Sequence, residues 1–392
     1  GASLSLMERG ARTELLDMAA GVSSDISETA ASWFGRSKAK EESSADDPTA
    51  SPGLLPLPAP DAQGVIRLTG TGPYDVAQVN AVGHLTILGD ANRLPEIVVR
   101  DRPLALQAAR VTLRNVRIRL AANETSPHVG SLLQVRSHEF AAVGCLFFDQ
   151  TAIASSERSK MTASSAFIAW QPIDPDGSVA DAILLRDSVF HGRHDTLSLQ
   201  QPPGRVTITN CLHLGSRSVV ALSDQAKISR PLHIDCDGLT LREAQSLIRL
   251  PESIRHHGTE SILIEAHSCV FDLAGERSAL FVVVGADLNA FDSTVVALTG
   301  DGTLARADLV IARQVAPSTR RTILLESGFT VEGIVAEPFT FAGASDGRAE
   351  NSSLDTYNGP RRGGRLPGVD VSRLPSWRPS QVGSALRTTN ER

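Results

Sequence analysis

Between residues 65 and 315 apolar and polar positions alternate at period two, and short polar corners break the alternation at intervals. Seven phrases stack on one another: "VTLRNVRI" ending at 118, "FAAVGCLF" at 147, "ILLRDSVF" at 190, "VTITNCLH" at 213, "HIDCDGLT" at 240, "IEAHSCVF" at 271 and "LNAFDSTV" at 295. Their corners fall on Asn115, Gly144, Asp187, Asn210, Asp237, Ser268 and Asp292. All but Ser268 are Gly, Asn or Asp, the residues that tolerate a left-handed backbone at a tight bend. The residue after the corner is small in every phrase except the first: Cys145, Ser188, Cys211, Gly238, Cys269 and Ser293, against Val116. Two and four residues before the corner the side chains are apolar, as in Leu113 and Val111 or Ile208 and Val206. That alternation predicts strands with one buried face. The fifth phrase is out of phase, since Leu232, Ile234 and Cys236 alternate there instead, and a one-residue bulge would explain it.

A second strand motif precedes the phrases: "SLLQV" 131–135, "AFIAW" 166–170, "TLSLQ" 196–200, "VVALS" 219–223, "SLIRL" 246–250 and "ALFVVV" 279–284. The corners recur about every 30 residues, with steps from 23 to 43. A fixed core with variable insertions at such a period marks a solenoid, in which each repeat covers its neighbour's apolar face. Two or three short strands per turn with a sharp polar corner predict an all-β chain, a single right-handed parallel β-helix. No helical pattern of 10–15 residues separates the strands, which excludes a doubly wound α/β fold. An antiparallel sandwich is the structural competitor, and like phrases recurring in one order favour stacking.

These "NC", "DS" and "SC" corners, with aliphatic strands around them and an interior ladder of like side chains, resemble the right-handed parallel β-helix of pectin-lyase-like proteins. The resemblance covers residues 65–315, and it speaks to fold far more than to activity. The entry "GVIRLTGTGPY…HLTILGD" is also similar to the first coil of β-helix regions appended to larger bacterial signalling or surface proteins, some Ser/Thr kinases among them. No kinase motif is present. The compartment is not legible in the residues; a bacterial surface or secreted setting is favoured slightly over a cytoplasmic one.

The flanks differ from this body. In residues 1–34, Leu15, Met18, Ala19, Val22, Ile26 and Ala30 fall at helical spacing and predict a short amphipathic helix. Residues 35–62, rich in Ser, Asp, Glu and Pro, read as a flexible linker with too little apolar surface to offset chain entropy. The β-helix is expected over 63–344 and an irregular basic tail over 345–392. Residues 360–392 carry seven arginines against Asp370 and Glu391. The alternative for that tail is a strap whose Leu366, Leu374 and Trp377 dock on the body.

Composition changes the picture only at a few points. The hydrophobic share of 41% supports a large core, and the aromatic share of 4% means that Val, Leu, Ile and Ala build it. A net charge of −6 indicates neither a nucleic-acid surface nor an acidic solvating chain. Only Lys38, Lys40, Lys160 and Lys227 are lysines among 38 basic residues, and the scattered arginines do not form a phosphate-binding device. No apolar run is long enough for a transmembrane segment. The chain begins on Gly1 and has no signal-peptide pattern, which points to a processed chain or a part of a larger protein.

Cys145, Cys211 and Cys269 hold one repeat position and read as an interior ladder of small thiols. They lack the CxxC spacing of a zinc or redox site. Cys145 and Cys211 are two coils apart, roughly 10 Å at about 4.8 Å per strand, which is too far for a disulfide. Neither a cofactor nor a metal is expected. Lyases of the resembled superfamily hold Ca²⁺ with carboxylates on an outer strand face, and its hydrolases use paired aspartates. Here the outward positions are Ser198, Gln200, Ala221, Ser223, Leu247 and Arg249, none acidic. Asp195 and Asp224 flank neighbouring strands at opposite ends, roughly 20 Å apart, beyond the reach of a glycosidase pair.

What remains is "HGRHDT", where His191, Arg193, His194 and Asp195 are the candidate catalytic residues. A histidine beside an aspartate suits a base and its orienting partner, although a polar solvent loop is the plainer and preferred reading. "RHHGTE" places His256 and His257 at a different corner. There is no GxSxG elbow, P-loop or HExxH, and "GTGP" at 70–73 is a turn. The sequence therefore favours a non-catalytic scaffold or recognition region with a glycan or protein partner along a solenoid face. The alternative is a carbohydrate-active enzyme, a lyase or glycoside hydrolase, with its site near the 150–182 insertion and the 191–195 loop. The two divide on whether His194, Asp195 and Asp181 converge in one cleft.

Overall fold

The computed structural model describes residues 53–121, 130–149, 165–174, 181–256 apart from 225, 227 and 229, 261–273, 277–285, 295–316, 321–339, 341, 358 and 366–375. The expected N-terminal helix over 1–34, residues 35–52 of the linker, most of the 150–182 insertion, His257, Asp292, Ser293 and Trp377 lie outside these residues.

The described chain is an all-β solenoid of mostly parallel strands in three rows. Each coil supplies three short runs, and each run pairs with its counterpart one coil on. The first row holds Val65–Arg67, His84–Leu88, Arg110–Arg114, Glu139–Val143, Ala182–Arg186, Arg205–Thr209, Leu232–Asp237 and Ile262–His267, then Val296–Arg306 and Phe329–Glu337. The second includes Glu96–Val99, Arg117–Leu120, Leu146–Asp149, Val189–His191, Leu212–Leu214, Thr240–Ala244 and Val270–Leu273. The third runs from Gln78–Asn80 through Ser131–Arg136, Ala166–Gln171, Asp195–Leu199, Ser218–Leu222, Ser246–Pro251 and Phe281–Val284 to Ala312–Val315. This third row is the second motif of the sequence. One continuous apolar core fills the space between the rows, from Ile66 to Leu325.

The corner joining the first row to the second has a left-handed backbone at Asn115, Gly144, Asp187, Asn210, Gly238, Ser268 and Gly302. Two corners differ from the sequence expectation. The fifth is Gly238, one residue beyond Asp237, and Thr209 pairs with Asp237 in unbroken register. No bulge is needed: with Gly238 at the corner, Cys236 and Ile234 take the inward positions of Ile208 and Val206. The seventh is Gly302, because His267 pairs with Asp301.

Non-glycine residues in that region cost about 1–2 kcal/mol, and cross-coil bonds offset it. Asn210 Nδ2 donates to Asp187 Oδ1 at 2.8 Å. Gly144 leaves room for the Asn115 side chain, since a Cβ there would stand 2.5 Å from Asn115 Oδ1.

At five of the seven corners the next residue is Cys, Ser or Thr, for a reason of hydrogen bonding. Ser188 donates to the Arg186 carbonyl at 2.8 Å and accepts from Cys145 N–H at 3.1 Å. Thr303 donates to Ala266 O at 2.7 Å and accepts from Cys269 N–H at 3.2 Å. The thiols of Cys145, Cys211 and Cys269 donate to the carbonyl two residues back at 3.3–3.4 Å. All four cysteines are free and buried. Burial pushes the Cys145 thiol up to about 11 and those of Cys211 and Cys269 up to about 12, so none is a thiolate nucleophile at neutral pH.

The outer face of the second row carries a separate apolar strip of Leu146, Val189, Leu212 and Leu214. Val369 and Leu374 of the C-terminal segment 366–375 cover it, while Leu366 stays exposed. Backbone bonds lock the segment on: Asp370 N–H donates to Asn210 Oδ1 at 2.6 Å, and Gly368 N–H to Ser268 O at 2.8 Å. A corner asparagine thus serves both the turn and the strap. At the other end, Leu55, within the expected linker, forms a parallel bridge to Tyr74.

Two outcomes follow from this packing. Cys211→Ser should be mild, since Ser188 already fills the same position, whereas Cys211→Arg should cost several kcal/mol through a buried unpaired charge. Urea melts of both variants check this, and equal midpoints would refute the ladder. Leu374→Ala should cost about 2 kcal/mol and raise binding of a hydrophobic dye as the strip beneath is uncovered; an unchanged melt and dye signal would mean that the strap is not held there.

Candidate functional site

The candidate residues lie where the second row turns into the third. Val189–His191 ends one strand, Gly192 to His194 make the bend, and Asp195–Leu199 begins the next. One coil earlier, Leu146–Asp149 ends at the same edge, with Phe148 paired to His191. Asp149 therefore lies under the bend. Gly192, at φ 141°, lets the chain close over it, because a Cβ there would stand 2.7 Å from Asp149 Cβ.

Three of the four candidates are buried, His191 among them on the outer side of the second row beside Phe148 and Leu214. His191 stacks on Phe148 with ring centroids 5.2 Å apart. Burial holds its imidazole down at about 4, against the opposing pull of the Asp149 charge. His194 Nε2 and Asp149 Oδ2 are hydrogen-bonded at 2.7 Å, both groups buried. The sequence pairs His194 with Asp195, but the fold pairs it with Asp149. Consecutive extended residues point to opposite sides, whereas counterparts in adjacent coils are within reach. Arg193 alone is exposed.

Asp195 has no exposed surface. Ser218 Oγ donates to its Oδ1, Arg249 donates to Oδ2 at 2.5 Å, and Arg217 NH1 stands 3.9 Å away. This carboxylate joins three successive coils. Removing one partner from such a buried charge pair costs about 3–5 kcal/mol.

Behind the edge, Phe147, Phe190 and His213 form an interior stack with centroids 4.8 Å apart at each step. His213 is fully buried, with Nδ1 hydrogen-bonded to Thr196 Oγ1 at 2.8 Å. Burial holds its imidazole down at about 3. Asp149, Ser218, Arg249, His213 and Thr196 are not evident along the sequence. Aligning the coils is the signal that would have found them.

Asp181 does not join this group. It precedes Ala182, at the opposite end of the third row, where it contacts His138 Nδ1 at 3.1 Å and Arg230 at 3.0 Å. Burial pushes its carboxyl up despite both partners. Asp195 starts its strand, while Asp224 follows the neighbouring Ser218–Leu222. The turn Glu252–His256 lies at the third-to-first-row edge, away from the 191–195 bend. Among the described residues, no group of three or more His, Cys, Asp or Glu is placed to hold a metal ion. A shallow cleft of about 370 Å³ lies further along, with Arg306 at its wall held by Asp308 at 3.0 Å and Asp272 at 3.3 Å.

The two depressed imidazoles give a pH dependence of defined sign. Both stay neutral in the fold below the ordinary 6.5, so the unfolded chain binds the extra protons. Stability from these sites is complete above about pH 6.5 and declines as pH falls through 4 towards 3, by on the order of a few kcal/mol each. His213→Phe, which continues the aromatic stack, should flatten the loss between pH 6.5 and 4 in urea melts. An unchanged pH slope would show that His213 is not buried neutral.

The chain matches no protein-family model, no curated protein and no solved structure, so the reading of this site rests on its geometry.

Proposed function

We propose that this chain is a non-catalytic β-helical scaffold or recognition region, meeting a protein or glycan partner along an outer face of the solenoid. Its strand order, corners and core fit a right-handed parallel β-helix of the pectin-lyase-like kind, and parallel crossovers take the right hand almost always. The observation that carries the proposal is the fate of the candidate acids and bases. His191, His194 and Asp195 are buried and engaged with Phe148, Asp149, Ser218 and Arg249. A general acid or base must reach substrate within a hydrogen bond or one water, and buried groups already held by neighbouring side chains do not.

The face best suited to recognition is the first row. Its outward positions Thr86, Thr112, Ala141, Leu184 and Thr207 form a half-buried column of short side chains, flanked by charged columns. A row of this kind offers a long regular surface.

One observation favours the enzyme reading. The 2.7 Å His194–Asp149 pair has the base-and-orienter geometry, with exposed Arg193 beside it. A screen of acidic and neutral polysaccharides, with and without Ca²⁺, separates the two. Binding without turnover is expected, and His194→Ala should leave binding intact. Turnover that His194→Ala abolishes, with the fold preserved by circular dichroism, would replace the scaffold with an enzyme.

A further inference from the structure

The shallow cleft of about 370 Å³ lies on the same second-to-third-row edge as the 191–195 bend, at the last coils. Its floor is apolar, with Leu273, Leu309 and Val310, and two arginines stand in its wall. Only one of them is neutralised. Arg306 holds both oxygens of Asp308, at 3.0 and 3.1 Å, and Asp272 at 3.3 Å. Half-buried Arg313 makes no ion pair, and its buried Nε has no hydrogen-bond partner among the described residues.

The coil register gives the reason. Arg313 pairs with Val282 one coil back, and Val282 with Arg249 one coil before that. Arg249 reaches Asp195, which lies two coils back and three residues before Ser198, the counterpart of Arg249 in that coil. The residue that stands in the same relation to Arg313 is Ser246, whose hydroxyl donates to the Arg217 carbonyl at 3.4 Å. One column thus carries the arginine twice and its carboxylate once.

The surface beside Arg313 is apolar too. Leu324 lies opposite Arg313 in the antiparallel pair, hence on the same face, and Ile311 stands two residues before it. Leu324 is 63% exposed and Ile311 44%. Seven large apolar side chains are exposed among the described residues, and two of them flank this guanidinium.

We infer that the cleft takes the C-terminal residue of a protein partner, its carboxylate on Arg313 and its aliphatic side chain on the floor. An uncompensated guanidinium calls for an anion, and its planar fork matches a carboxylate. Arg306 and Arg313 together balance Asp272 and Asp308, so a dianion such as phosphate would face Asp308, whose side chain is 69% exposed. The volume is at the low end of the roughly 300–1,000 Å³ of ligand sites, which sets cation and apolar floor within the span of one residue. A chain end carries a carboxylate and an aliphatic side chain on one carbon. An internal Asp or Glu carries its carboxylate in place of the apolar group. A free acid of that size would stay largely uncovered, whereas small-molecule sites bury most of their ligand. Ile311 and Leu324 receive the residues that precede the chain end.

This inference rests on the scaffold reading and names a partner chemistry for it; its test uses no glycan. A short peptide ending in leucine and labelled at its N-terminus is titrated with the full chain and followed by fluorescence anisotropy. The free acid should bind with a Kd on the order of 100 µM. The same peptide with a C-terminal amide should bind about tenfold more weakly, as loss of a charge-assisted pair implies. A peptide ending in glycine should lose a similar factor, because it leaves the floor uncovered. Arg313→Gln should bind acid and amide alike, at the level of the wild-type amide, whereas Arg313→Lys should keep the preference for the acid. Circular dichroism and urea melts confirm that both variants fold. Equal affinity of the wild-type chain for acid and amide overturns the inference. So does a preference for the acid that survives Arg313→Gln, or an absence of binding up to about 1 mM. Turnover in the glycan screen would bear on the scaffold reading alone.

Discussion

The spacing between paired parallel strands, about 4.8 Å, governs this molecule more than any single contact. It makes the nearest neighbour of a side chain its counterpart one coil away rather than the next residue along. A corner must therefore repeat in place, coil after coil, or the strands on either side fall out of step. Asn115, Gly144, Asp187, Asn210, Gly238, Ser268 and Gly302 meet that demand with four residue types for one backbone conformation. The small residue that follows each of several corners donates to a nearby carbonyl, two positions back for Ser188 and the cysteines and one coil away for Thr303, and Ser188 and Thr303 also accept an amide from the preceding coil. That is why serine, threonine and cysteine interchange there. The free thiols are consequences of a hydrogen-bonding requirement, and burial keeps them chemically silent.

The same spacing decides what the polar edge residues do. Asp195, whose partners are Ser218, Arg217 and Arg249, ties its coil to the next two. Asp181, at the opposite edge, ties the preceding coil to one two coils on through His138 and Arg230. These buried charges are weak evidence for net stability, because desolvation opposes each of them. Their effect is on register. A one-coil slip would leave a buried carboxylate facing an apolar strand, so the ion pairs select one stacking among several that the aliphatic core would accept.

The repeat, the third-row strands and most corners were legible in the sequence because period-two alternation and left-handed turn residues are local signals. The fifth corner was misplaced for a physical reason. "DCDG" offers two residues able to turn, Asp237 and Gly238, and only pairing with Thr209 chooses between them. The partners of the candidate site were hidden for a different reason. Asp149 and His194 are 45 residues apart along the chain, and only the coil register brings them together. The strap was half legible. Leu374 looked able to dock, but the strip it covers is assembled from Leu146, Val189 and Leu212 in three coils, which no window of sequence displays.

A solenoid with open ends invites end-to-end growth, and the described ends resist it. At the first coil the chain arrives through Leu55, a single bridge flanked by Pro56, Pro58 and Pro60, which have no amide to donate. At the last, the antiparallel strand Thr322–Leu324 reverses the third row, so a parallel copy finds no matching template. The final first-row strand carries Glu332, Gly333 and Glu337 and is followed by Pro338, residues that discourage pairing at an edge. With growth along the axis obstructed, association is left to the sides. The second-row side is occupied in part by the strap, whereas the first-row side stays exposed.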